Sequence, residues 1–319
     1  QNQYYALSTR TEQSGDLLID TPVFASDQDN VTLTDGLLYG RIRLRDEVLK
    51  GYQDKLDQFA GNLAWQFNRV HSQGVGLRGY SDLTGTTQVI NPASTLDQAT
   101  YSFTPPTGIF KIQNGNVEMI VHDERNDEET RLNIEIDLDG RPSPSGESDT
   151  ILYDATNPGA TNSLVNKMQA ALDTVRPGQF KVGVDLANRL TMQSTNADYT
   201  FSFGRDSSGA LAALGLNTFF SGYDAGTIDV DSRLAQSPDL LTGAQSFTPG
   251  ENTGAKALLE MRDTAVMNTG TATVGEYYQS IVGQLGIEAS RIDALQSTQK
   301  DILTRMENQR EELSGVNLD

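Results

Sequence analysis

Near its end the chain reads YQSIVGQLGIEASRIDALQSTQKDILTRMENQREEL, from residue 278 to residue 313. Apolar side chains recur along this stretch at alternating spacings of three and four residues, with Glu288, Gln299 and Gln309 as polar interruptions. We call six of the apolar positions the back stripe: Ile281, Leu285, Ile292, Leu295, Ile302 and Met306. An apolar repeat of about 3.5 residues is typical of a helix that lies along another helix. The stretch therefore predicts a long helix in a coiled-coil-like bundle.

A second stretch with the same character lies near the start, where IRLRDEVLKGYQDKLDQFAGNLAWQFNRV occupies residues 42 to 70. Its apolar side chains recur every seven residues, with two aromatic residues on the same side. These positions are the front stripe: Ile42, Leu49, Tyr52, Leu56, Phe59, Leu63 and Val70. Asp35 can cap the helix from about Leu37, and Gly74 and Gly76 suit its end. We expect the two helices to pack antiparallel along their stripes.

The region between the helices is rich in turn-forming residues and in alternating apolar and polar runs. It predicts strands at 109–113, 117–121, 130–137, 180–184, 189–193 and 199–203, with a helix at 162–175. Asn114-Gly115-Asn116 is typical of a hairpin turn. A hairpin or extended arm is expected in 4–36, a short helix in 207–216 and a further helix in 255–267.

These elements predict an α+β protein, elongated and multi-domain. A helical rod domain would comprise residues 1–78 and 225–319, and residues 79–224 would form an inserted β-rich outer domain. Thr273 and Glu276 have the spacing of a capping box before the last helix.

Composition excludes several classes of function. The chain has 319 residues, no cysteine and a formal net charge of −19, so thiol chemistry, disulfides and cysteine-bound metals are excluded. An acidic surface repels phosphate, which argues against nucleic-acid and anionic-membrane partners. No apolar run approaches the roughly 20 residues of a membrane span. We expect no signal peptide before Gln1, and we expect both native ends to lie outside the sequence.

The candidates for chemistry favour structural roles. His71 would bind free carbonyl groups at the helix end. His122 and Asp123 are adjacent on a predicted strand, where neighbouring side chains point to opposite faces, so no catalytic pair is expected. The run 123–129 would be a solvated hairpin tip, and Asp137 to Gly140 fails the EF-hand pattern. Trp65 would pack at the edge of the helix pair. We expect no enzyme activity, no cofactor and no metal site.

The end of the front helix resembles the family of flagellar hook-associated protein 1, which joins hook to filament. Asn68, His71 and Gly74 form the Asn-x-x-His-x-x-Gly pattern of that family, and Gly315 and Asn317 lie in a segment similar to its lead-in to the terminal helix. The segments 35–52, 214–230, 238–239 and 250–258 resemble further blocks of the family in the same order. The terminal core-forming helices of the family are absent from this sequence.

The resemblance implies a structural subunit at the hook–filament junction, outside the cell and exported by the type III route without a cleaved signal. Its partners would be neighbouring copies of itself in a tubular assembly, the hook protein and the second junction protein. An export chaperone is implied as well, and we expect its binding end to lie outside this sequence. Two alternatives stay open: a flagellin or another hook-associated subunit, and a secreted adhesin-like or carbohydrate-binding module that uses the β-rich domain.

Overall fold

The computed structural model describes residues 5–14, 17–103, 110–141 and 149–315. Its internal contacts divide the chain into two units, Gln1–Asp54 and Lys55–Asp319. The helices are α1 Gly36–Arg43, a π-helix Leu44–Leu49, α2 Lys50–His71, α3 Leu164–Val175, α4 Ala210–Ala213, α5 Ser232–Gln236, α6 Thr253–Met261 and α7 Val274–Ser314. The strands are β1 Leu7–Ser14, β2 Leu17–Phe24, β3 Asp82–Thr84, β4 Gly115–Asp123, β5 Glu128–Ile136, β6 Phe180–Val184, β7 Leu190–Ser194, β8 Tyr199–Asp206, β9 Phe220–Ser221 and β10 Asp229–Val230.

The first unit consists of a hairpin and the start of the front helix. β1 and β2 pair antiparallel, with Leu7 opposite Phe24, as expected for the arm in 4–36. Asp35 accepts a hydrogen bond from the backbone N–H of Gly36 at 2.7 Å, which confirms the predicted helix start. Arg45 donates from Nη1 to the carbonyl oxygen of Asp20 at 2.9 Å, so the helix contacts the second strand of the hairpin.

The second unit contains two three-stranded antiparallel sheets, with strand orders β5-β4-β8 and β3-β7-β6. Along β5 the alternation of the sequence is confirmed, because Ile134 and Ile136 are buried while Asn133 and Glu135 are exposed. Helix α3 packs against β5 and β6. The side-chain amide of Gln169 on α3 accepts from the N–H of Val182 at 2.9 Å, so it occupies part of the outer edge of β6.

One buried core joins the end of the front helix, both sheets and residues 214–230, which we call the return segment. Its largest fully buried side chains include Trp65, Phe201, Phe203, Met119 and Leu172. This core takes residues from both of the domains predicted from the sequence. The domain boundaries at 78/79 and 224/225 remain a prediction.

The predicted hairpin at 109–121 and the predicted helix at 255–267 were wrong in part, and the described residues 110–113 form no strand. The Asn114-Gly115-Asn116 turn does not exist: Gly115 begins β4, and the hairpin turns at residues 124–127 instead. Gly115 is needed for close packing, because a Cβ atom there would lie 2.9 Å from the backbone of Ser207 and Ser208. The helix expected over 255–267 spans Thr253–Met261, and Met267 instead pairs with Ala272 as an isolated bridge.

Helix α7 begins at the predicted capping box. The hydroxyl of Thr273 accepts from the N–H of Glu276 at 3.2 Å, and the carboxylate of Glu276 accepts from the N–H of Thr273 at 2.8 Å. These contacts lower the pKa of Glu276 below its usual value. The helix has 41 residues, which corresponds to about 60 Å. Among the described residues, no helix combines the length and apolar character needed to cross a membrane.

Candidate functional site: the end of the front helix and the back stripe

Asn68, in the last turn of α2, fastens the helix to the return segment. Its Oδ1 accepts from the backbone N–H groups of Phe219 and Phe220 at 3.0 and 2.8 Å, and its Nδ2 donates to the carbonyl oxygen of Phe220 at 2.9 Å. Nδ2 also lies 3.3 Å from the hydroxyl of Tyr223. Asn68 is fully buried. A side-chain amide carries donors and an acceptor on one planar group. It therefore binds both the N–H and the carbonyl oxygen of Phe220, as the backbone of a neighbouring strand would.

His71, one turn further on, connects the helix end to two other segments. Its Nδ1 lies 2.9 Å from the carbonyl oxygen of Asn217, and its Nε2 accepts from the backbone N–H of Thr242 at 3.2 Å. Thr242 in turn donates from Oγ1 to the carbonyl oxygen of His71 at 2.7 Å. Since Nε2 accepts, the ring carries its proton on Nδ1.

Burial lowers the pKa of His71 to about 4, against partial opposition from the hydrogen bond to Asn217. The ring is therefore neutral at physiological pH. The prediction that His71 binds free carbonyl groups at the end of its own helix was wrong, because Nδ1 instead reaches the carbonyl oxygen of Asn217 in another segment.

Asn217, in the return segment, binds the backbone just after the front helix. Its Nδ2 donates to the carbonyl oxygens of Ser72 and Gly74 at 3.2 and 2.9 Å, and its Oδ1 accepts from the hydroxyl of Tyr80 at 2.7 Å. Burial raises the pKa of Tyr80 to about 12, so this hydroxyl keeps its proton. Asn217 has φ of 52°, a left-handed conformation that asparagine tolerates better than most residues.

The glycines after the helix permit close backbone contact with the segment 239–244. A Cβ atom on Gly74 would lie 2.7 Å from the carbonyl oxygen of Ala244, and one on Gly76 would lie 2.4 Å from that of Asp239. The N–H groups of Val75 and Leu77 donate to these same two oxygens at 2.8 and 2.7 Å. Gly74 thus belongs to the same structural junction as Asn68 and His71.

Several residues that bind the motif of Asn68, His71 and Gly74 were not predicted from the sequence. Asn217 and Thr242 bind His71, and Tyr223 contacts Asn68. Tyr80 acts one step further away, since its hydroxyl donates to Asn217. The one local signal is the Gly215–Asn217 pair, since both residues adopt positive φ. Nothing in the spacing of the others indicates that they meet residues 68–74.

Trp65 is not at the edge of a helix pair, as the sequence had suggested, but in the centre of the core. It is fully buried, its ring centroid lies 4.5 Å from that of Phe110, and it is 3.7 Å from the position of a Cβ on Gly209. The reason is that the last two turns of α2 enter the β-rich part of the unit instead of remaining on its surface.

Helices α2 and α7 meet near the start of α7. The ring of Phe59 stacks on that of Tyr277 at 6.3 Å between centroids, and Lys55 Nζ donates to Gln284 Oε1 at 2.7 Å. Because position 59 faces 277 and position 55 faces 284, the two helices run antiparallel at this contact. The pairing of Ile42, Leu49, Tyr52 and the rest of the front stripe with the back stripe stays a prediction.

Beyond this contact the back stripe is open to solvent. Ile281 is buried, at 7% exposure, whereas the five following members are between half and two-thirds exposed. Their exposed fractions are Leu285 51%, Ile292 57%, Leu295 55%, Ile302 52% and Met306 64%. A row of apolar side chains of this length is typical of an interaction surface. Gly315 ends α7, where its N–H donates to the carbonyl oxygen of Glu311 at 2.7 Å, and Asn317 lies outside the described residues.

The other candidate residues have structural contacts. His122 lies between Glu124 and Asp127, at 3.3 and 2.9 Å, and its ring stacks on Phe247. Asp123 points away from it and contacts Arg125 and Arg176 at 3.2 and 3.6 Å, which agrees with the expected opposite orientation. The hydrogen bond from Arg125 holds the pKa of Asp123 below its usual range.

One acidic cluster lies beside β5. Carboxylate oxygens of Asp137, Asp139 and Asp149 lie within 4.8 Å of one another. Each of the three also accepts a backbone N–H within the same turn region, at 3.4, 2.8 and 3.0 Å respectively. The three carboxylates therefore lie close together because each one stabilises the turn.

Comparison with known proteins first gives the class. Residues 1–86 match the family model described as "Flagellar hook-associated protein FlgK helical domain". The front of the chain, with its long helix, is therefore similar to the helical domain of flagellar hook-associated proteins.

One curated protein is similar in sequence. Flagellar hook-associated protein 1 from Escherichia coli (strain K12) is 24% identical over 184 residues, which cover 53% of this chain and 33% of that protein. The chain thus spans about one third of the length of this curated relative. These matches confirm the resemblance found in the sequence.

Two solved structures are also similar. The flagellar hook junction protein FlgK from Burkholderia pseudomallei has a TM-score of 0.40 and 16% identity, with coverage of 96% of this chain and 70% of that chain. The flagellar cap protein FliD from Escherichia coli has a TM-score of 0.20 and 12% identity, with coverage of 58% and 50%.

Proposed function

We propose that the protein is a structural, non-catalytic subunit of the bacterial flagellum that joins hook to filament. The observation that carries this proposal is the exposed back stripe on a helix of 41 residues. The match of residues 1–86 to the hook-associated helical domain and the similarity to hook-associated protein 1 support the place of the subunit. The protein would act outside the cell, after export without a cleaved signal.

The mechanism is lateral packing of helices between neighbouring copies around a tube. Burying the exposed half of a Leu or Ile side chain contributes about 1 kcal/mol, so the five exposed members of the back stripe would contribute about 5 kcal/mol to each contact. This is comparable with the cost of lost motion on association, so a single pair of copies would bind weakly. A closed ring, in which every copy has two neighbours, would be stable. Hook protein and the second junction protein would bind at the two ends of the ring.

The buried hydrogen bonds at the end of the front helix would make this assembly stiff. Asn68, His71 and Asn217 attach the front helix to the β-rich part through buried hydrogen bonds, so a force on the helix is passed to the core. An export chaperone would bind outside the described residues. The predicted domain division, a rod of 1–78 plus 225–319 and an outer domain of 79–224, would place the acidic middle towards solvent.

Cysteine cross-linking tests the lateral contact directly, because the chain contains no native cysteine. Because neighbours in a ring meet through different faces, we expect chains with Leu295→Cys, mixed with chains carrying Leu49→Cys on the front stripe, to form disulfide-linked dimers on oxidation at rising protein concentration. The matched control is Ser297→Cys, which is exposed on the same turn of α7 but points roughly 200° away from Leu295 around the axis. Equal cross-linking of both variants, or of neither, would contradict packing through the back stripe.

A further inference from the structure

The front helix contains one segment that is not α-helical. Leu44–Leu49 forms a π-helix, and Arg43 and Lys50 on either side have α-helical dihedral angles, so the helix continues through it. A π-helix closes its hydrogen bonds over five residues instead of four, so the segment accommodates roughly one residue more than an α-helix would. Such segments are rare, and they are frequent at functional positions.

The additional residue changes which side chains share a face. In an uninterrupted α-helix Ile42 and Leu49, seven residues apart, would lie within about 20° of each other around the axis. The additional residue displaces them by roughly the 100° that one α-helical residue occupies. Ile42 is therefore out of line with Leu49, although the sequence repeat places both in one stripe.

The surroundings of the two residues agree with this displacement. Leu49 is 56% exposed, whereas Ile42 is partly covered. Near Ile42 the helix contacts the hairpin, through the hydrogen bond from Arg45 to the carbonyl oxygen of Asp20 at 2.9 Å. Two positions that would share a face in an α-helix thus have different environments.

We infer that the π segment is a phase break that limits the surface offered to a second copy of the chain. It places Ile42 and Leu49 on different sides of the helix and leaves Leu49 open for lateral packing, so that the front stripe available to a neighbour begins at Leu49 and excludes Ile42. This inference deepens the proposed function and rests on its lateral packing for the identity of the occupant. The phase break itself is a property of the single chain.

Engineered copper binding tests the phase break in the dilute chain. Two histidines five residues apart share a face in a π-helix but lie well apart in an α-helix, and imidazole binds Cu²⁺ well. We expect Leu44→His with Leu49→His to bind Cu²⁺ at least tenfold more tightly than Gln296→His with Asp301→His, the same spacing on the exposed, α-helical part of α7. The native His71 and His122 are buried. Equal affinities of the two pairs would overturn the inference.

Deletion of one residue tests the consequence for the surface. Removing Asp46 takes the additional residue out of the segment, and we expect an uninterrupted helix in which Ile42 joins the stripe. Self-association, measured by sedimentation, should then strengthen about fivefold relative to Asp46→Ala, which removes the same side chain at unchanged length. A deletion variant that associates like Asp46→Ala would overturn the inference.

The two tests separate this inference from the proposed function. A wild-type chain that shows no self-association would count against lateral packing and hence against the proposed function. The copper comparison in the dilute chain would still decide whether the apolar stripe is broken at Leu44–Leu49.

Discussion

Replacement of Asn68 by leucine should separate the helix end from the return segment. Leucine has a similar shape but neither donor nor acceptor. The substitution therefore leaves the N–H groups of Phe219 and Phe220 without the oxygen that they contact at 3.0 and 2.8 Å, and the carbonyl oxygen of Phe220 loses its donor at 2.9 Å. A buried polar group that loses its partner costs about 1–3 kcal/mol.

With at least two such groups in a fully buried site, we expect the free energy of unfolding to fall by about 3–5 kcal/mol. Urea denaturation followed by circular dichroism and by the fluorescence of Trp65, the only tryptophan, measures this change. Asn308→Leu, on the exposed face of α7, is the matched control and should change the free energy by less than about 0.5 kcal/mol. A loss below 1 kcal/mol in Asn68→Leu would refute the claim that this side chain holds the junction.

Three further outcomes follow from the same region. Because burial lowers the pKa of His71 to about 4, its contribution to the free energy of unfolding is complete above about pH 6.5 and is lost as the pH falls towards 4. Between pH 7.5 and 5 the wild type should therefore lose about 2 kcal/mol more unfolding free energy than His71→Gln. Urea titrations at both pH values measure this difference. Gly76→Ala should destabilise by about 1–3 kcal/mol, because its Cβ would meet the backbone of Asp239 and Leu240, whereas Gly159→Ala, with open space around it, should be neutral in thermal denaturation. Asp206→Asn should lower the melting temperature, because the buried carboxylate accepts from the N–H groups of Ser208, Gly209 and Leu211 and an amide nitrogen cannot.

Periodic patterns in the sequence predicted most of the regular elements. The capping box at Thr273, the Asp35 cap, the alternation of β5 and helix α3 are all formed by residues close together in the chain, so local chemistry determines them. The Asn114–Asn116 turn failed for the opposite reason. Its local preference for a turn is overruled by the close approach of Gly115 to Ser207 and Ser208, more than 90 residues away.

The site was predicted only in part, because its partners are distant in sequence. Asn68, His71 and Gly74 were recognised by resemblance, but no spacing in the sequence connects them with Asn217 and Thr242, which bind them. The neutral state of His71 depends on burial by the return segment, which no spacing reveals. The π segment was missed because a seven-residue repeat appears unbroken in the sequence whether or not the backbone contains an additional residue.

Fluorescent labelling in flagellated cells tests the central claim most directly. A single cysteine at Ser297 gives a unique, exposed attachment point in a chain without native cysteines. A subunit that joins hook to filament should appear as one spot at the base of each filament after labelling with a maleimide dye. Label along the whole filament, or no label on flagella at all, would contradict the account.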